Sequence, residues 1–165
     1  MSDFSLTLGF LRGFPDALWS HLDAMPSAAL DFIPPSWEGV PSEALTIRQQ
    51  VCHLRDIEID GYAVRFSRVL REDCPALPGV DTYALIESRD YDRADMRETF
   101  DAFAEARSAN LRLLDATKPD ELSRAGIFEE YGRVTLEGLA HYLCSHDQQH
   151  LAGIQWLLGR FASAK

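Results

Sequence analysis

Four stretches of this chain place apolar residues three and four positions apart, and nothing alternates with period two for long enough to predict a convincing strand. The first, about 4–25, carries Leu8, Leu11, Pro15, Leu18, Leu22 and Met25 on one helical face, and Pro15 is expected to kink or restart it. The second opens at Thr46 with Gln49 three residues on, a capping-box pattern, and runs to about Arg71. Apolar residues surround most of its girth (Ile47, Val51, Leu54, Ile57, Tyr62, Val64, Phe66, Val69), so it should be central and buried. The third starts near Asp95 and ends before Pro119, and the fourth runs from about Thr135 to Phe161. Breaks rich in Pro and Gly separate them at 34–41, 74–79 and 118–132, and residues 80–91 have room for a short extra helix.

Four amphipathic helices in a chain of 165 residues predict one all-α domain over 1–165, a four-helix bundle. The segment between the second and third helices is long enough to cross over the bundle. The chain buries a full core without disulfide help. Cys52, Cys74 and Cys144 lack CxxC spacing and read as three reduced thiols of a cytoplasmic protein. With 26 acidic against 16 basic residues and a net charge of −10, the chain is expected to bind neither nucleic acid nor an anionic membrane surface. The N-terminus shows no signal-peptide pattern, and no apolar run approaches the roughly 20 residues that span a bilayer.

The fourth helix carries the clearest chemistry. Its seam reads Leu139, Leu143, His146, His150, Gly153, Leu157, a narrow stripe with two histidines at its middle. Imidazoles at i and i+4 stack one turn apart and can converge on one ion. Buried separately, each needs its own hydrogen-bond partners or costs about 1–3 kcal/mol. Gly153 leaves space on the same seam. Three other readings of His146-Asp147-Gln148-Gln149-His150 fail. A zincin needs Glu where Asp147 stands, and no His, Asp or Glu follows His150 as a close third ligand. A di-iron bundle needs paired E-x-x-H motifs, and a Ser hydrolase a G-x-S-x-G elbow; neither is present. For a third ligand the candidates are His21, His53 and His141. His141 is rotated roughly 140° off the seam, which points it to the surface or an interface. His53 ranks first because it sits inside the buried second helix.

The run Thr46-Ile47-Arg48-Gln49-Gln50-Val51-Cys52-His53-Leu54, with Glu58 beyond it, begins the second helix. Gly132-Arg133-Val134-Thr135 leads into His146-Asp147-Gln148-Gln149-His150-Leu151-Ala152-Gly153-Ile154. With these two runs the chain resembles the DinB/YfiT-like superfamily of metal-binding four-helix bundles over nearly its whole length. The resemblance implies ligands at His53, His146 and His150, a crossover topology and a tendency to form homodimers. Three imidazoles leave a divalent ion an open position, as in catalytic sites, able to activate a water or a thiolate. Zinc is the first expectation, with nickel, iron or manganese equally suited to His ligands. Asp147 and Glu58 are candidates to fix a ligand's tautomer. Cys52, turned roughly 100° from His53, is not expected to ligate. The resemblance implies a small-molecule enzyme, either a transferase of a low-molecular-weight thiol or a related hydrolase. The alternative is a non-catalytic metal-binding stress-response protein.

Overall fold

Three of the four expected long helices open on a side-chain cap at the residue where the sequence places their start. Thr46 Oγ1 accepts from the Gln49 backbone N–H at 3.3 Å while Gln49 Oε1 accepts from the Thr46 N–H at 3.0 Å. Asp95 and Thr135 cap the Glu98 and Gly138 backbone N–H groups in the same way. The computed structural model describes residues 3–129 and 131–164. Within it, α1 is Asp3–Ala24, α5 is Met96–Asp115 and α6 is Leu136–Ser163. The second bundle helix is α2 (Ile47–Asp56), a π-helical turn (Ile57–Ala63) and α3 (Val64–Arg71) in direct succession. The short extra helix appears as α4, Thr82–Ser88. None of these helices is long and apolar enough to cross a membrane.

Both α1 and the second helix pack against α5 and α6, so those two stand at opposite corners of the bundle. Two apolar clusters fix the directions. Leu11, Val69, Leu111, Leu114, Leu136 and Leu143 gather at one end, and Phe14, Leu18, Ile47, Phe103, Ile154 and Leu157 at the other. Hence α1 and α6 run one way and the second helix and α5 the other. Since the second helix and α5 are parallel neighbours, the 72–95 connection must return along the bundle, which is the expected crossover. Its end is pinned where the second helix begins: Arg48 Nη1 donates to the Ala94 carbonyl at 2.7 Å, and Gln49 Nε2 to Asp92 at 2.9 Å. Midway, buried Asp56 accepts from the Tyr91 hydroxyl at 2.6 Å.

The expectation of no strand is corrected by a three-stranded sheet. β1 (Ala76–Leu77) pairs parallel to β2 (Ala125–Phe128), and β2 antiparallel to β3 (Gly132–Thr135). Two to four residues are too few to display a period of two. Gly132 takes φ +72° at the β2–β3 turn, a conformation that other L-residues rarely adopt. At Pro15 α1 continues without the restart that was one expectation there. A proline inside a helix leaves the carbonyl four residues back without its donor. That carbonyl, Leu11 O, accepts instead from Arg107 Nη1 at 3.0 Å.

Arg107 lies between the two apolar clusters and is 1% exposed. Its Nε and Nη2 donate to the two oxygens of Glu58 at 2.9 and 2.8 Å. Its Nη1 and Nη2 donate to the two oxygens of Asp147 at 2.8 and 3.0 Å. Asn110 Nδ2 adds a bond to Glu58 Oε1 at 2.8 Å. One guanidinium thus joins all four bundle helices through fork-to-fork pairs, the strongest geometry available to it. Burying these charges is expensive, and removing one partner strands the others. Arg107→Ala should therefore lower the unfolding free energy by about 3–5 kcal/mol, read by urea denaturation; a loss under about 1 kcal/mol would show the clamp to be dispensable.

Candidate metal centre

His53 lies two turns into α2, carried inward by the capping box at Thr46 and by the burial of Val51 and Leu54 on either side. On α6, His150 is fully buried, whereas His146 is only half-buried. The seam of α6 is therefore corrected by one position. Asp147, not His146, takes the core slot between Leu143 and His150, and His146 stands at the seam's edge. It lines a cavity of about 470 Å³ that also includes His53, Glu43, Tyr62, Thr82 and Tyr142.

One nitrogen from each of His53, His146 and His150 lies within 4.8 Å of the other two, a group that could hold a metal ion. His53 Nε2 and His146 Nε2 are 3.0 Å apart. The outer nitrogens are held from behind. His53 Nδ1 pairs with Thr82 Oγ1 at 3.2 Å, and His150 Nδ1 with Gln50 Oε1 at 3.1 Å. Gln50 Nε2 donates to the Leu45 carbonyl at 3.2 Å, which fixes the amide's orientation. Gln50 Oε1 must then accept from His150 Nδ1–H, leaving the His150 Nε2 lone pair aimed at the group. Burial, followed by repulsion from His150, lowers the His53 imidazole to about 4 and holds His146 well below 6.5. Burial thus favours the neutral form that ligation requires.

A divalent ion fits this donor set on an observation internal to the site. His150 Nε2 and Glu43 Oε2 are both buried with no properly directed hydrogen bond. Native interiors rarely leave such atoms unsatisfied without a ligand or ion to serve them. Glu43 Oε2 lies 3.2 Å from His150 Nε2.

The tautomer-fixing role expected of Asp147 and Glu58 falls to Gln50 and Thr82. All four carboxylate oxygens of Asp147 and Glu58 are taken by Arg107, and burial pushes the Asp147 carboxyl up against that pull. His21 and His141 lie apart from the group. His141 Nδ1 pairs with Thr7 Oγ1 at 2.8 Å, and His21 Nε2 with Gln155 at 3.2 Å. Cys52 turns away as expected, its thiol directed at the Tyr91 carbonyl and pushed up to about 11 by burial. The three cysteines are free. Gln50, Thr82, Glu43 and Arg107 escaped the sequence reading. Arg107 had a signal: it is the one charged residue in the α5 seam Phe100, Phe103, Arg107, Leu111, Leu114.

Gly153 provides the room anticipated for it. A Cβ there would lie 2.8 Å from Ser42 Cβ and 2.9 Å from Gln50 Oε1, so its absence lets the 42–46 segment and Gln50 close on His150. Gly153→Ala should destabilise by about 1–3 kcal/mol through overpacking. Gly159→Ala, on the same helix with nothing within 4 Å of its Cβ, should stabilise by about 0.5–1 kcal/mol. Thermal melts of the two variants check the contrast, and equal shifts would sink it.

The comparisons with known proteins agree with this geometry. No curated protein matches the chain significantly. Among solved structures, the chain superposes on YfiT from Bacillus subtilis with a TM-score of 0.85 and 25% identity, over 98% of this chain and 90% of that one. YfiT is described as a probable metal-dependent hydrolase with an unusual four-helix bundle topology. The DinB superfamily profile matches residues 11–154, a span that holds the clamp and all three histidines. The chain belongs to the DinB superfamily.

Proposed function

We propose that this protein is a metal-dependent enzyme for small molecules, with one divalent ion, zinc foremost, held by His53, His146 and His150. The observation that carries the reading is the convergence of three imidazoles, with orphaned donor atoms among them, at the wall of a cavity of about 470 Å³. A structural zinc is normally sealed from solvent. Here two of the three histidines line open space. When bound, the ion supplies Lewis acidity that lowers the pKa of a thiol or of water.

The chain's own residues do the positioning. Gln50 and Thr82 hold the two buried rings, and Arg107 holds the helices that carry them. The cavity wall combines aromatic rings (Tyr62, Phe128, Tyr131, Tyr142) with polar groups (Thr82, Ser145, Gln149), a lining suited to a small polar ligand with an apolar part. The reaction proposed is transfer of a low-molecular-weight thiol to an electrophile, or hydrolysis in the manner suggested by the description of YfiT. The same reading places the protein in the cytoplasm as a homodimer. Three free thiols suit a reducing compartment. Exposed Leu6 and Phe10, one turn apart on α1, offer apolar surface for a second copy.

Elemental analysis should find about one equivalent of metal in the purified protein and almost none in His146→Ala, since loss of one histidine leaves too weak a site. Full metal content in that variant would overturn the ligand assignment. With metal loaded, conjugation of monochlorobimane to a panel of cellular thiols should run faster than the uncatalysed rate for at least one thiol, and the acceleration should vanish in His146→Ala. Acceleration of p-nitrophenyl ester cleavage instead favours the hydrolase. Stoichiometric metal with neither reaction accelerated favours the non-catalytic stress-response protein.

A further inference from the structure

Glu43 belongs to no helix, yet its carboxylate is brought to the histidine group by three separate features. Gly153 admits Ser42 against α6. Ser42 Oγ donates to the Glu43 carbonyl at 3.1 Å, and the Leu45 N–H donates to the same carbonyl at 2.8 Å. Gln50 then ties the Leu45 carbonyl to His150. Glu43 Oε2 consequently sits 3.2 Å from His150 Nε2. The Gln50 contact assigns the hydrogen of neutral His150 to Nδ1, so Nε2 offers a lone pair. A carboxylate oxygen and an imidazole lone pair at that distance repel unless a positive species lies between them. A proton supplies one such species, and a divalent cation the other.

Building on the reading that the three histidines bind metal, we propose that Glu43 supplies a fourth protein ligand, making the site three nitrogens and one carboxylate oxygen. The side chain is 36% exposed and lines the cavity, so it approaches from the open side rather than from the core. An oxygen ligand tilts the site toward zinc, iron or manganese and away from softer ions. Zinc and its neighbours also expand to five ligands, which keeps room for a substrate atom beside the carboxylate.

The test compares wild type, Glu43→Gln and Glu43→Asp by two measurements that need no turnover: zinc affinity against a chelator, and the visible spectrum of the cobalt(II) form. Glu43 lies on a half-exposed loop, and the far-ultraviolet circular dichroism of each variant verifies the fold. Glu43→Gln should weaken zinc by at least the 10–100-fold typical of an outer partner's loss, roughly, and should alter the cobalt spectrum. Glu43→Asp, with shorter reach, should weaken zinc as well. Unchanged zinc affinity in Glu43→Gln overturns the proposal. So does weaker zinc with an unchanged cobalt spectrum, which places the carboxylate outside the coordination shell. If wild type binds no metal, the histidine reading falls and this one with it. Metal lost in His53→Ala but retained unchanged in Glu43→Gln overturns the fourth ligand alone.

Discussion

The Arg107 guanidinium is the point on which the bundle's geometry depends. It reaches α1 through the Leu11 carbonyl, the second helix through Glu58 and α6 through Asp147, while its own backbone belongs to α5. Apolar seams tolerate small slides of one helix along another, because methyl groups carry no directional preference. Paired forks do not: a slide of even half a turn would leave buried carboxylates without donors, at a cost of several kcal/mol. Glu58 follows His53 by five residues on the second helix, and Asp147 lies between His146 and His150 on α6. The clamp that ties Glu58 to Asp147 therefore sets the register that brings the three imidazoles together.

Register alone does not orient a ring. His150 is aimed by Gln50, and Gln50 is aimed by the Leu45 carbonyl, so the loop before α2 and the core of α6 share one short chain of hydrogen bonds. That chain needs close approach, and the missing side chain at Gly153 permits it. His53 is held by Thr82, which comes from α4 in the crossover connection. The long return path between the second and third helices thus brings a polar residue to a ring that its own helix cannot support. Bundle topology and ring orientation are two ends of one arrangement.

Much of this was legible in the sequence, and what was not has physical reasons. The helices, the capping box at Thr46 and the histidine spacing are local or periodic features, and these survive in sequence, whereas the crossover was implied by the family resemblance. His53, His146 and His150 stand together because each sits on a long helix. Glu43 and Thr82 act from segments without periodicity, where nothing in the sequence marks a side chain as inward. Asp147 and Glu58 misled for a different reason. A carboxylate beside a histidine on paper can face 100° away on a helix, and their true partner is an arginine far along the chain. The small sheet escaped because its strands are shorter than the pattern that would reveal them.

The division of labour along α6 favours a working site over a staple. Asp147, His150 and Ile154 point into the core and are held by buried partners, whereas His146 and Gln149 face the cavity. A metal present only for stability gains most when every ligand is buried and fixed, since that maximises the order it imposes on the folded state alone. This bundle already has two apolar clusters and a bidentate clamp to hold it. α6 nevertheless lines a cavity through His146 and Gln149, together with Glu43 on a loop and Tyr62, Tyr131 and Tyr142. On the proposed reading, that opening is where the substrate enters.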